Sequence, residues 1–205
     1  MPYFFSEKLP KDPAARMAEA ARTLHPDIRI AEQVHGDTVL RVESEFTITA
    51  GDALMTNVPG LCVAVKTADC VPVLLLAPQA VAAVHAGWRG TALRIAAKAV
   101  AALGAAYGVR PEEITAHIGP CVCQDCYETG AEVPQALGPE AAGYIEQRGE
   151  KLFPDLRRIN EHWLRQAGVG CVSVSEACTC CGHEMYWSHR MHGTDRGVQL
   201  SGAWL

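Results

Sequence analysis

The chain has 205 residues, of which 49% are hydrophobic and 20% charged, with a formal net charge of −5. This is the balance of an ordinary globular protein with a sizeable core. The charge offers no basic surface for nucleic acid or membrane lipid, and no apolar run approaches the roughly 20 residues of a spanning helix. Because the first residues also lack the features of a signal peptide, we expect a cytoplasmic protein that binds no nucleic acid and no membrane.

The first half of the chain predicts one helix followed by strands. Asp12 and Pro13 form a helix start, and the helix is expected to run through residues 14–24. Residues 28–44 are typical of two short strands joined around residues 35–37. Three near-continuous apolar strands, whose composition indicates cover on both faces, then follow at residues 61–68, 71–77 and 79–86.

The second half predicts helices that alternate with strands. Residues 87–108 are expected to form one long helix, started by Gly90 and Thr91. Further helices are predicted at residues 131–138, 139–149 and 155–168. Strands are predicted at residues 113–119 and 169–178, with a closing pair at residues 184–193 and 196–205. No repeat or linker interrupts the pattern, which therefore predicts one mixed α/β domain over residues 1–205.

Three potential metal ligands, His35, Cys70 and His85, each stand at the end of an apolar strand. Strand ends are where a fold brings distant side chains together. Two imidazoles and one thiolate suit a zinc ion with a fourth position left for water or substrate. Cys70 and His85 alone also suit a nucleophile and its base, with Asp69 or another acceptor orienting the imidazole. Spacing does not decide between these interpretations, although three candidates for one site favour the metal.

Arg89 lies between Gly87 and Gly90 at the expected start of the long helix, which indicates an anion or phosphate site. The alternative is a guanidinium stacked on Trp88. Four further polar residues stand among apolar or aromatic neighbours, and surface exposure is the default interpretation of each: Glu128, Ser188, Arg190 and Arg196.

Nine cysteines are an odd number, and in a reducing compartment they indicate metal ligands, catalysis or burial rather than disulfides. Six of them form two clusters, Cys121, Cys123 and Cys126, and Cys178, Cys180 and Cys181. Each cluster contains a C-x-x-C pair, and two such pairs build a four-thiolate zinc site if they meet in space. The alternative is simple burial of free thiols.

Several segments, taken in order, resemble one family over about residue 28 to the end. They are EQVHGDTVL, TADCVPVLL, VAAVHAGWRGT, IGPCVCQDCYETG and CTCCGHEMYWSHRMHGTDRG. The family is known under the names laccase-domain protein, polyphenol oxidase, purine nucleoside phosphorylase and peptidoglycan editing factor.

The resemblance implies that His35, Cys70 and His85 bind zinc, with copper as the alternative metal. It also implies phosphorolysis of purine nucleosides such as adenosine, inosine and methylthioadenosine, with adenosine deamination as a side activity. In that mechanism Cys70, His85, Arg89 and Glu128 are the catalytic candidates. Arg89 and Arg190 are the candidates for binding phosphate.

The implied fold is α+β, with mixed sheets in a sandwich-like core flanked by helices, similar to a toxin deamidase that uses a Cys–His pair. We expect small-molecule partners, a purine nucleoside and phosphate, and a monomer or small homo-oligomer. The glycine-rich strand pair near the family's N-terminus is missing here, which predicts a more open pocket.

Three alternative functions stay open at this point. The first is a cysteine amidohydrolase, with Cys70 as nucleophile and His85 as base, that edits peptidoglycan precursors. The second is a non-catalytic metal-binding protein. The third is a copper polyphenol oxidase, for which one set of two histidines and one cysteine supplies few ligands.

Overall fold

The apolar centre of the chain folds into mixed sheets in a computed structural model that describes residues 1–205. The twelve strands are β1 Tyr3–Phe5, β2 Ile28–Arg29, β3 Val39–Arg41, β4 Ala53–Thr56, β5 Cys62–Thr67, β6 Val71–Ala77, β7 Ala80–Ala86, β8 Thr115–Ile118, β9 Ile145–Arg148, β10 Lys151–Pro154, β11 Cys171–Val174 and β12 Gln199–Ala203. The six α-helices are α1 Pro13–Thr23, α2 Trp88–Ala92, α3 Ile95–Tyr107, α4 Glu132–Leu137, α5 Leu156–Gln166 and α6 His189–His192. None of these helices combines the length and apolar character that a membrane crossing requires.

The largest sheet has six strands in the order β11-β8-β6-β7-β4-β3. Its centre is the antiparallel pair β6 and β7, in which every residue is buried. This burial is what the continuous apolar runs predict, because a strand covered on both faces needs apolar side chains on both. Val71 lies opposite Ala86, so the start of β6 and the end of β7 meet at one edge of the sheet.

Alternate residues of β6 enter two different cores, since successive side chains of a strand point to opposite faces. Val73 and Leu75 pack with helices α3 and α5, including Leu103 and Trp163. Leu74 packs against a second sheet of four strands in the order β1-β12-β5-β2. The predicted arrangement of mixed sheets in a sandwich-like core flanked by helices is therefore confirmed. The similarity to a toxin deamidase stays a prediction.

The predicted helix starts at the two aspartates are present. The Asp12 carboxylate accepts a hydrogen bond from Ala15 N at 2.8 Å, and Pro13 is the first helical residue. Asp155 likewise accepts from Arg158 N at 3.0 Å at the start of α5. These side chains satisfy backbone N–H groups that have no partner inside the helix.

The prediction of one helix over residues 87–108 was wrong, because the segment breaks into α2 and α3. Arg94, between them, has a left-handed φ of 58°. Its guanidinium pairs with Glu140 at 2.7 Å and lies 4.2 Å from the centre of the Trp163 ring. These tertiary contacts hold the break, which directs α2 towards one edge of the large sheet while α3 packs on its face.

Two other segments also differ from the prediction. Residues 139–149 form a 3₁₀ turn and then β9, which pairs with the unpredicted strand β10 around Gly149, a residue with φ of 63°. Residues 184–193 form turns and α6 instead of a strand. There the side-chain amide of Gln199 bonds to the backbone N–H and C=O of Trp187, at 2.9 and 3.0 Å, in place of a strand ladder.

The strands near the chain termini and around residue 50 complete the differences. Strands β1 and β4 were not predicted, and both pair with strands of the two main sheets. The strands on either side of residues 35–37 belong to different sheets, β2 to the smaller and β3 to the larger. The loop between them therefore crosses from one sheet to the other, and it carries His35.

Candidate metal centre and pocket

The structure brings His35, Cys70 and His85 together at the edge where β6 begins and β7 ends. One ligand atom from each residue lies within 4.8 Å of the others. The distance from Cys70 Sγ to His35 Nε2 is 4.0 Å, and the two imidazole centres are 4.8 Å apart in an edge-to-face arrangement. The antiparallel register brings Cys70, just before β6, to the same edge as His85 near the end of β7. The loop between β2 and β3 supplies His35.

These distances fit a tetrahedral zinc ion. Zinc bonds of about 2.0 Å to nitrogen and 2.3 Å to sulfur place the two donor atoms about 3.5 Å apart. Gly87 provides the space, since a β-carbon there would lie 3.0 Å from His35 Cδ2 and 3.2 Å from Cys70 Sγ. The donor set and the space around it are therefore both those of a site for a small ion.

The buried carboxylate of Asp52 organises two of the three ligands. It accepts a hydrogen bond from His85 Nδ1 at 2.8 Å, which leaves Nε2 as the nitrogen free to bind a metal. It also accepts from the backbone N–H groups of Val34, His35 and Gly36, at 3.2, 3.0 and 2.7 Å. Asp52 was not identified from the sequence. Its signal was an acidic residue at the start of an apolar strand, because a carboxylate that is buried there needs hydrogen-bond partners.

The charges of this group are strongly coupled. Burial alone disfavours a charged Cys70, but hydrogen bonds with His35 and His85 lower the pKa of its thiol to about 6. Burial likewise opposes a charged His85, whereas Asp52 and Cys70 raise the pKa of its imidazole to about 9. Burial also works against ionised Asp52, yet the His85 and Gly36 hydrogen bonds hold its carboxyl pKa below the usual value. Cys70 is thereby favoured as a thiolate, the form that binds metals or attacks a substrate.

Two residues of the site adopt a backbone conformation that is unusual outside glycine. His35 has φ of 59° and Asp69, just before Cys70, has φ of 85°. The Asp69 carboxylate accepts from Thr179 Oγ1 and from Arg190 N, both at 2.7 Å. These bonds fix the turn that presents Cys70, so the surrounding structure holds a geometry that an isolated chain would rarely visit.

A pocket of about 380 Å³ opens over His35 and Cys70. His85 lies beneath it and is 3% exposed. The residues that line the pocket are His35, Ala68, Asp69, Cys70, Trp88, Arg89, Val122, Tyr127, Leu156, His189, Arg190 and Arg196. The volume is within the range of small-molecule sites.

Three arginines give this pocket a positive charge. Arg89 lies 4.2 Å from the centre of the Trp88 ring, and Arg190 lies 4.8 Å from the centre of the Tyr127 ring. No carboxylate lies within ion-pairing distance of Arg89, Arg190 or Arg196. The stacking that sequence reasoning offered as an alternative role for Arg89 is thus present together with its position in the pocket. Guanidinium groups without an anionic partner, held on aromatic faces, are suited to bind an anion.

The structure does not bring Glu128 to the pocket. Its carboxylate pairs with Lys151 Nζ at 2.9 Å on the surface, and it is absent from the pocket lining. The catalytic role predicted for Glu128 therefore has no contact with the pocket to support it. The expectation that Ser188 lies at the surface was wrong, because it is buried and caps α6 by accepting from Met191 N at 3.2 Å.

The two cysteine clusters described from the sequence also meet in the structure. Four of the six thiols, those of Cys123, Cys126, Cys178 and Cys181, lie within 4.8 Å of one another. Cys121 and Cys180 are outside the group.

Comparisons with known proteins identify relatives of the whole chain. The family model described as multi-copper polyphenol oxidoreductase laccase matches residues 11–205. The purine nucleoside phosphorylase YfiH of Shigella flexneri is 36% identical over 180 residues, which cover 85% of this chain and 72% of that protein. Adenosine deaminase RL5, from an unknown prokaryotic organism, is 39% identical over 169 residues, which cover 78% of this chain and 64% of that protein.

The fold has solved relatives as well. The crystal structure of the hypothetical protein YfiH of Bacillus licheniformis superposes with a TM-score of 0.86 and 30% identity, over 94% of this chain and 80% of that one. The chain spans 64% to 72% of the length of the curated relatives that it matches first. With both sequence and fold in agreement, the chain belongs to the multi-copper polyphenol oxidoreductase laccase family.

Proposed function

We propose that this protein is a zinc-dependent purine nucleoside phosphorylase. It would convert adenosine, inosine or methylthioadenosine and phosphate into the free base and a ribose 1-phosphate, with adenosine deamination as a side activity. The observation that carries the proposal is one pocket that combines a two-histidine, one-cysteine metal set with three arginines that lack carboxylate partners. The names of the related phosphorylase and deaminase support it.

His35, Cys70 and His85 would hold the metal. Zinc at these residues would supply a Lewis acid with one position open to a substrate oxygen. Copper is the metal named in the family's description. A multi-copper centre needs several ions held mainly by histidine. The two clusters of potential metal ligands in this structure contain only two histidines in total. The donor set therefore argues against a multi-copper centre, and we propose a single zinc ion.

The arginines would bind phosphate and orient it towards the nucleoside. An oxygen of phosphate forms the bond to C1′ while the bond from C1′ to the purine N9 breaks, and the electron pair leaves with the purine, which takes up a proton. Positive charge develops on the ribose in this step, so the bound phosphate dianion stabilises it. Arg89 and Arg190 hold that anion, while Tyr127, Val122 and Leu156 offer aromatic and apolar surface to the base.

The test is incubation of the purified protein with inosine in the presence and absence of phosphate. Ribose 1-phosphate and hypoxanthine should form only with phosphate, and Cys70→Ala should abolish turnover together with metal binding at the pocket. Cys171→Ala is the matched control, because Cys171 is exposed and lies in neither cysteine-containing group. Free ribose without phosphate would contradict phosphorolysis. No turnover of any nucleoside at full metal occupancy would favour the non-catalytic alternative.

A second candidate function has its own observation. Asp52 orients His85, and His85 in turn contacts Cys70, which is the order of groups in a cysteine hydrolase. Such an enzyme would cleave amides, for example in a peptidoglycan precursor, by attack of the Cys70 thiolate on the carbonyl carbon. Metal-free protein that retains amidase activity, and loses it on alkylation of Cys70 by iodoacetamide, would support this candidate. Amidase activity that needs zinc would contradict it.

A further inference from the structure

The thiols of Cys123, Cys126, Cys178 and Cys181, here called the four-thiol group, come from two loops that are 55 residues apart in sequence. The first loop follows β8 and the second follows β11. The loops are joined by an isolated bridge between Cys121 and Cys178. The proposed function makes no use of this group, which is separate from the metal set of the pocket.

The distances in the four-thiol group fit a metal ion and do not fit disulfides. A disulfide needs its two sulfur atoms about 2.05 Å apart. The contact between Cys126 Sγ and Cys181 Sγ is 3.5 Å, and all four sulfur atoms lie within 4.8 Å of one another. Four zinc–sulfur bonds of about 2.3 Å place the sulfur atoms of a tetrahedron about 3.8 Å apart. The group is close to that separation without any rearrangement of the loops.

The backbone around the group is built for thiolates. Cys178 Sγ accepts hydrogen bonds from the backbone N–H of Cys123 at 3.2 Å and of Cys181 at 3.4 Å. These bonds come from both loops and stabilise negative charge on the sulfur. Gly182 allows the second loop to turn tightly, since its N–H bonds to Cys178 O at 2.8 Å and a β-carbon would lie 3.0 Å from that oxygen.

We propose that the four-thiol group is a closed structural zinc site. The ligands are four thiolates, so binding releases the thiol protons and involves no change of oxidation state. The all-sulfur set selects a soft or borderline d10 ion, and with no position left for water the site has no catalytic role. Cys123 and Cys126 are half-buried and Cys181 is exposed, which leaves the ion a path from solvent.

The role of the zinc is to fix one wall of the pocket. The first loop carries Val122 and Tyr127, both pocket residues, and the second loop leads to α6 with Arg190. Arg190 and Tyr127 lie against each other across these two segments. An ion that joins the loops therefore sets the spacing between this stacked pair.

The experiment measures metal content and ligand type in a background that removes the pocket site. In Cys70→Ala, about one zinc per chain should remain, and X-ray absorption should show four sulfur neighbours at about 2.3 Å. Adding Cys126→Ser and Cys181→Ser should remove that zinc. Cys180→Ser is the matched control, because Cys180 lies in the same motif outside the group, and it should keep the zinc.

Other results would overturn the proposal. Cys70→Ala protein without zinc, purified under reducing conditions, would do so, as would nitrogen neighbours in its absorption spectrum or disulfides between the four cysteines in its mass. If the double serine variant does not fold, the spectrum of the Cys70→Ala protein alone decides. Failure of the proposed function would give a different result from failure of this proposal. The wild-type chain would then turn over no nucleoside but would still contain a zinc ion bound by four sulfur atoms.

Discussion

Replacement of the buried Asp52 by asparagine should weaken metal binding at the pocket without unfolding the protein. The carboxylate accepts four N–H groups, two on each oxygen, whereas an amide accepts on its oxygen only. If the amide oxygen keeps the Gly36 N–H, its NH₂ group faces His85 Nδ1. That nitrogen must then become the acceptor, which moves the ring proton to Nε2, the nitrogen left for the metal.

The size of the effect follows from these contacts. Loss of a group that orients a metal-binding histidine lowers metal affinity about 10- to 100-fold. That range is about 1.4 to 2.8 kcal/mol of binding free energy. The N–H of His35 also loses its acceptor, at a cost of about 1 to 3 kcal/mol in the free energy of unfolding. A protein of ordinary stability, about 5 to 15 kcal/mol, stays folded under that loss.

The assay is competition for zinc between the protein and a chromophoric chelator, together with thermal unfolding of the metal-free forms. Asp37→Asn is the matched control, because Asp37 lies in the loop that carries His35 but pairs with Lys98 at the surface. We expect weaker zinc binding in Asp52→Asn and none of that loss in Asp37→Asn. Zinc affinity in Asp52→Asn within about threefold of the wild type would refute the role given to this carboxylate.

Three further predictions concern the pocket. Arg190→Ala should raise KM for phosphate about 10- to 100-fold in steady-state kinetics, because a charged hydrogen bond to phosphate is lost. Arg22→Ala, at an exposed helix end, is the control and should leave this KM unchanged. An unchanged KM in Arg190→Ala would remove Arg190 from the phosphate site. Gly87→Ala should lower zinc occupancy in metal analysis, since the added β-carbon would lie 3.0 Å from the ring of the ligand His35. A β-carbon added at Gly143 meets no atom within 4 Å, so Gly143→Ala should keep full zinc occupancy. In metal-free protein, alkylation of Cys70 by iodoacetamide, followed by mass spectrometry, should accelerate as the pH rises through its pKa of about 6 and level off above it; acceleration only near the ordinary thiol pKa would contradict the coupling described above.

The parts of the fold that could be predicted are those in which local sequence and tertiary environment agree. The continuous apolar runs of β6 and β7 leave little choice but strands covered on both faces. Once these strands form an antiparallel pair, Cys70 and His85 must lie at the same edge of the sheet. The convergence of two ligands was therefore available from the sequence. His35 was a third candidate because it also stands at a strand end, and the family resemblance matched all three residues to ligands.

The parts that could not be predicted depend on contacts between distant residues. The break at Arg94 is held by Glu140 and Trp163, which no helical periodicity includes. The segment before α6 resembles a strand locally, but the side chain of Gln199 takes up its backbone groups. For the four-thiol group, spacing gave the two C-x-x-C pairs, whereas only the tertiary fold says that the loops meet.

The left-handed backbone at His35 makes selection for stability and selection for activity favour different residues at this position. A residue other than glycine in this conformation costs about 1 kcal/mol, and glycine would relieve that cost while removing the imidazole. Variants chosen for abundance or heat resistance alone are thus drawn towards glycine at this position, and variants chosen for activity are held at histidine. Loss of function at His35 can therefore accompany a gain in stability, so a screen that reads only folded yield would record the most damaging change at the site as an improvement.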